Sequence, residues 1–503
     1  MSPNNHRKLS DGSFQNPPED LQTFDIAESP IFPLKAEEIF SVVKILFRSA
    51  LPISLTYLAG IVTGLISLAF AGTYGNAAEL AGASLGYAWA SVFCIGLFLS
   101  IDQGFAIIAS RLFGAEKYQE LGILYQRNVC VVVTVSIPMI FPMIFSDSIL
   151  IAIGLNEDVS VNTGILLRSM IPSIIGTYLF SSTKYFLISQ NIFGIQSIIL
   201  GGLVPVHVLW CYIFVDLLGM PVAGAGLAKS CTDVTAAILL FLYIKYRGIC
   251  KETWIPWNKE CLEGWGSHLK TTLMLGATTY VEWITHELSM FIIGALNNAF
   301  VLGAHGVAVN LTAAIFYIPL GIGLSMQTYI GNAIGEGYKY KVQKIMAGGI
   351  VLNFIVSLTS VITICLFNKQ IASFFVADEV SCEILQNMLL IYALAHIPDS
   401  YANGIGGVLR VVGKEKQVLI AFFVCYMGIC VNGQWIFGLA FGYGYIAVWL
   451  CTAVAAFLMC GFVVHGVWTL NWKEEIEKVK RALDEETNNT KNHQDYIEMS
   501  EMA

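Results

Sequence analysis

The chain has 503 residues, of which 56% are hydrophobic and 13% charged, whereas soluble domains carry roughly 25% charged residues. A mean hydropathy of +0.66 therefore excludes an ordinary soluble protein and leaves an all-α polytopic membrane protein. The formal net charge of −8 gives no electrostatic footprint for nucleic acid, and no such partner is expected.

A helix crosses the hydrocarbon core with about 20 apolar residues, and about twelve runs of that length lie between polar breaks. The first stretch, 1–43, is polar, with Pro3, Pro17, Pro18 and Pro30 among Ser, Asn and Asp. It has no signal-peptide core, so the first span is expected to act as the targeting signal. Six spans then fall within 44–246, at about 44–70, 78–109, 122–146, 163–188, 192–216 and 222–246. A central loop, 247–268, separates them from six more within 269–470, at about 269–297, 299–330, 342–376, 383–411, 416–440 and 444–470. The tail 471–503 carries nine acids and five bases, a solvated composition.

Lys and Arg should gather in alternate loops on the cytosolic side, and 25 of the 28 do so on this count of spans. They include Lys44, Arg48, Arg111, Lys117, Arg127, Lys184, Lys245, Lys341, Lys344, Arg410 and Lys414, with Arg168 and Lys369 opposite and Lys229 inside a span. Both termini are therefore expected in the cytosol. The halves also echo one another at an offset near 220: Gly224 opens a stretch with Cys231-Thr232-Asp233-Val234, and Gly444 one with Cys451-Thr452-Ala453-Val454. Parallel repeats of six spans predict two pseudo-symmetric six-helix lobes around a central cavity, the geometry of an alternating-access carrier. The twelve cysteines form no CxxC pair and sit mostly in apolar runs, so packing is expected of them, with neither metal nor cofactor.

Charged groups inside spans mark function, since each costs about 2.5–3.5 kcal/mol at a helix centre on insertion scales. Span seven carries Glu282, Trp283, His286 and Glu287. At 100° per residue, Glu282 and His286 share one face while Glu287 falls on another, so one acid should face the cavity and one a neighbouring helix. Desolvation penalises an ionised carboxyl and a nearby cation favours it, so a proton and a cationic substrate would exclude one another at such a site. Span ten places Asp399 beside Pro398, which loosens the helix next to an acid. Lys229 and Asp233, four apart, form an expected structural charge pair. Asn310 and Tyr317 lie two turns apart on span eight, and with Trp283 and Tyr57 could wall a site for a flat organic cation. Asp102 is a further deep acid, and His207 and His305 sit near span ends. No GxSxG, HExxH or phosphate-cradling GxxxxGK[ST] motif is present, so the chain is not expected to be an enzyme, and an ion gradient would drive transport.

At these residues the sequence resembles the multidrug and toxic compound extrusion (MATE) family, in its eukaryotic-type branch. The resemblance rests on Phe70-Ala71-Gly72-Thr73-Tyr74-Gly75 with Leu80-Ala81-Gly82-Ala83-Ser84-Leu85, on Pro319-Leu320-Gly321 and Ile330-Gly331-Asn332-Ala333-Ile334-Gly335, on Gly407-Val408-Leu409-Arg410-Val411-Val412-Gly413, and on Glu282-Trp283 with Glu287. It implies twelve helices in two lobes forming a V, export of organic cations or other xenobiotics against protons or sodium, and ion exchange at Glu282, Glu287 and Asp399. The chain departs from the family pattern at Ser67, where bacterial members tend to have aspartate, at Ala106, where many eukaryotic members have an acid, and at Tyr329 in place of arginine. The reading is a proton-coupled exporter, active as a monomer in the plasma membrane or an endomembrane. A sodium-coupled exporter and a flippase of lipid-linked saccharides are the rivals, the latter needing cations in its cavity.

Overall fold

The computed structural model describes residues 35–376 and 378–482, and the tail expectations for 1–34 and 483–503 lie outside the described residues. Those residues are mostly helical, and no strand occurs among them. The N-terminal half comprises α1 (Ala36–Tyr74), α2 (Ala77–Gly114), α3 (Tyr118–Ile144), the short α4 (Ser146–Ala152), α5 (Glu157–Ser169), α6 (Ile171–Ser189), α7 (Ile195–Leu217) and α8 (Pro221–Arg247). The C-terminal half comprises α9 (Trp265–Gly294), α10 (Ala299–Glu336), α11 (Lys339–Phe375), α12 (Glu379–Val411), α13 (Glu415–Ala440) and α14 (Gly444–Thr469), followed by a helix over 472–482, α15.

Ten of these helices are long and apolar enough to span a membrane, and eleven crossings result if α5 and α6, bent by 48° where Pro172 opens the second helix, form one span. The remaining candidate is α9, whose 30 residues suffice in length while Glu282, His286 and Glu287 depress its apolarity. Ten or eleven spans thus stand beside the expectation of about twelve, with α9 the helix that makes the difference. Boundaries differ: α1 begins at Ala36, within the stretch assigned to the N-terminal tail. The halves share a local signature too, since α7 ends in π-helical turns (Tyr212–Leu217) and its counterpart α13 contains them (Phe423–Val431 and Gln434–Ala440). In α12, Pro398 sits inside a continuous helix, and side chains bond the backbone on either side of it: Ser400 Oγ donates to the carbonyl of His396 at 2.6 Å and Asn353 to that of Ser400 at 3.1 Å.

The lobes meet along one seam, where α2 packs on α9 and α10 and α1 packs on α10. Small residues make this approach possible, as expected for helices in lipid. A Cβ added to Gly104 would fall on the backbone of Thr272, and one at Gly276 on the backbone of Ser100. At the last residue of α2, Gly114, and near the end of α10, Gly335, the helices abut the backbones of Asn332 and Arg111 in the same manner. Polar bonds reinforce the seam: Thr279 Oγ1 donates to Gln103 Oε1 at 2.7 Å, Ser49 and Tyr329 pair at 2.9 Å, and Lys344 reaches Glu38 at 2.6 Å. Arg111 donates to the carbonyl of Val411 at 2.6 Å and of Arg410 at 3.1 Å, capping the C-terminus of α12 from the other lobe.

The 471–503 stretch is not solvated along its whole length. α15 buries Ile476 and Val479, and its Glu475 pairs with Lys414 at 2.9 Å. It borders a cavity of about 520 Å³ lined by Arg111, Arg127, His268 and Lys478.

Gly276→Leu should push α9 off α2, since overpacking a tight contact costs about 1–3 kcal/mol. Oxidative cross-linking between cysteines placed at Gln103 and Thr279 should then fall several-fold; unchanged cross-linking would mean the seam tolerates the side chain.

Candidate functional site

The strongest constellation lies in the C-terminal half, where α9, α12 and α13 converge. Glu282 is 8% exposed, and its Oε1 accepts from Asn403 Nδ2 at 3.1 Å. Asn403 also donates to the carbonyl of Asp399 at 3.3 Å, and Tyr426 donates its hydroxyl to Asp399 Oδ1 at 3.0 Å. The carboxyls of Glu282 and Asp399, on different helices, also lie within electrostatic reach of one another, in one polar pocket. Arg410, on α12 and 7% exposed, lies within electrostatic reach of Glu282 and is anchored by donating to Thr278 Oγ1 at 2.7 Å and the Leu275 carbonyl at 3.2 Å. Charge in this pocket is held by named partners, as a site of low dielectric requires.

The other acid of α9 behaves differently. Glu287 is half-buried and lies beside Ser91, the first residue of the π-turn in α2, so it faces the neighbouring lobe. Trp283 is half-buried, whereas His286 is exposed, although the 100° spacing put it on the Glu282 face. Tyr57 and Tyr317 do come together, with ring centroids 5.1 Å apart across the two lobes. Asn310 is exposed and donates to the Gly306 carbonyl of its own helix at 2.9 Å, so the structure does not bring it to the tyrosines.

In the N-terminal half, Lys229 and Asp233 are 2.7 Å apart, and Asp233 also accepts from Ser173 and from Thr177 at 3.1 Å. His207 is buried between Ser67 at 3.0 Å and Thr232 at 2.8 Å, and His305 accepts from Trp449 at 3.2 Å. Asp102 is fully buried and accepts from Ser182 at 2.7 Å and Asn128 at 3.0 Å, leaving Oδ2 without a partner.

Sequence reasoning missed two groups. Lys184 and Arg410 were counted with cytosolic loops by the charge rule, yet both are buried within helices, Lys184 at 6% exposure. Lys184 Nζ stands 4.5 Å from the ring centroids of both Tyr57 and Tyr185, whose hydroxyls pair at 2.6 Å. The signal available was its setting, Ser181-Ser182-Thr183-Lys184-Tyr185 between apolar runs with no turn residue nearby.

Two half-bundles joined at one seam, with buried charges on both sides of it, define a polytopic membrane transporter. The comparisons agree. The MatE family model matches the chain twice, over residues 52–213 and 275–436, and the chain belongs to that family. It is 25% identical over 435 residues to multidrug and toxin extrusion protein 1 of Danio rerio, covering 86% of this chain and 73% of the relative. The Homo sapiens protein of the same name is 25% identical over 452 residues, covering 87% and 76%. Among solved structures, the eukaryotic MATE transporter AtDTX14 superposes with a TM-score of 0.83 at 17% identity, covering 88% of this chain and 99% of that one. An outward-facing MATE family transporter gives 0.75 at 15% identity, covering 89% and 100%.

Asn403→Leu keeps bulk but removes the donor to Glu282. Hydrogen bonds to charged groups contribute about 1.5–3 kcal/mol, so gradient-driven uptake in proteoliposomes should drop roughly tenfold or more. Wild-type rates in that variant would show that Asn403 does not support Glu282.

Proposed function

We propose that the protein is a proton antiporter that exports organic cations and other xenobiotics by alternating access. The supporting observation is the shared Glu282–Asn403–Asp399–Tyr426 pocket. Either a proton or an arriving cation can balance the carboxyls of this pocket. Proton and substrate then compete, and opposite fluxes follow. Glu287, beside Ser91 of the other lobe, is placed to make that competition felt at the lobe boundary. Both termini face the cytosol in this reading, and the seam that Arg111 caps is the cytosolic gate. The multidrug and toxin extrusion names of the relatives support the substrate class.

The flippase reading gains from the two buried cations but does not overtake. Lys184 and Arg410 face three deep acids, Asp102, Glu282 and Asp399, so the site as a whole is not the excess of positive charge that a pyrophosphate needs. Sodium coupling would use the same carboxyls with an oxygen-rich shell.

Uptake of a fluorescent organic cation into proteoliposomes with an imposed pH gradient tests the proposal. Wild type should concentrate the dye, and Glu282→Gln should abolish accumulation while reconstituting normally. Accumulation driven by a sodium gradient and indifferent to pH would refute proton coupling.

A further inference from the structure

Lys184 has no role in the exporter mechanism just described, yet it is a charge that the fold holds at a cost. An ammonium carries three donors. Among the described residues, Lys184 makes no hydrogen bond and no ion pair within 4.0 Å; its near neighbours are the faces of Tyr57 and Tyr185 at 4.5 Å. Ring quadrupoles and the field of Asp102 favour the positive charge against the penalty of burial, but among the described residues no oxygen takes its protons. The residue is 6% exposed, enclosed except for a narrow opening. The half-buried Tyr57 and Tyr317 stand across the lobe boundary beside it. Of the Tyr57 and Tyr185 hydroxyls, only one donates within their 2.6 Å pair, which leaves the other proton free to point outward.

Arg410 lies within electrostatic reach of both Tyr185 and Glu282. Lys184, Tyr185, Arg410 and Glu282 are therefore linked in that order, with Lys184 on one side and the Glu282–Asp399 acids on the other. A simple cation at the acids would leave the Lys184 donors unused and feel its repulsion, whereas a molecule bearing both signs complements both sides.

We propose that Lys184, with the Tyr57–Tyr185 hydroxyl pair, is a subsite for the carboxylate of a zwitterionic substrate whose cationic group docks at Glu282 and Asp399. This deepens the exporter reading and rests on it. The substrates favoured are amphoteric organic cations, and Lys184 is a specificity-determining residue.

Equilibrium binding in detergent, read by fluorescence anisotropy, tests this with two probes: a xanthene cation carrying a free benzoate and the same dye as its methyl ester. Wild type should bind the acid about tenfold more tightly than the ester, as a charge-assisted bond provides. Lys184→Met should remove that preference while leaving the ester bound as well as before, and Lys184→Arg should restore it. Equal loss of both probes in Lys184→Met, or a wild-type preference for the ester, would overturn the subsite. Binding needs no gradient, so the two readings separate: a wild type that prefers the acid but transports neither dye sinks the exporter and keeps the subsite.

Discussion

Close backbone contact between the two lobes is the constraint on which the rest of the structure depends. In lipid, helices gain little from burying apolar faces against one another, so association relies on close packing and on polar bonds. Here Gly104 and Gly276 let α2 and α9 touch backbone to backbone, and Gly114 and Gly335 do the same for α2 and α10. Such contacts are either made or broken, because a packed interface does not deform continuously. The Arg111 bonds to the end of α12 follow the same logic: they exist only while the lobes meet.

That seam determines how buried charge can be tolerated. Each ionised group within a span needs a partner, a ring face or water, and the lobes supply these asymmetrically. The N-terminal half holds Asp102 in a cradle of Ser182 and Asn128 and sets Lys184 against two tyrosines. The C-terminal half places Glu282 and Asp399 in one pocket bridged by Asn403. Tyr185 and Arg410 lie within electrostatic reach of one another, and Arg410 of Glu282. Coupling in such an arrangement needs no dedicated pathway, only two lobe positions with different solvation of the same groups.

Legibility from sequence followed the range of the interaction concerned. Span number, two-lobe organisation and the acids of α9 and α12 were readable because hydropathy, loop charge and repeat offset are local or periodic quantities. The residues around those acids were not readable: Asn403 and Tyr426 are ordinary polar residues in apolar helices until α12 and α13 fold beside α9. Asn310 and His286 went the other way, sharing helical faces with site residues yet ending exposed.

The sequence by itself determined that this is a membrane protein of about twelve spans in two related halves, since apolar runs of membrane length and alternating basic loops leave no other economical arrangement. It also marked Glu282, Glu287 and Asp399 by the cost of placing them in lipid. Tertiary structure alone decided that Lys184 and Arg410 are interior groups rather than loop cations, because a basic residue near a span end is assigned to solvent until neighbouring helices enclose it. It alone decided, too, which acid faces a shared pocket and which the opposite lobe, a matter of three-dimensional neighbours that no periodicity encodes.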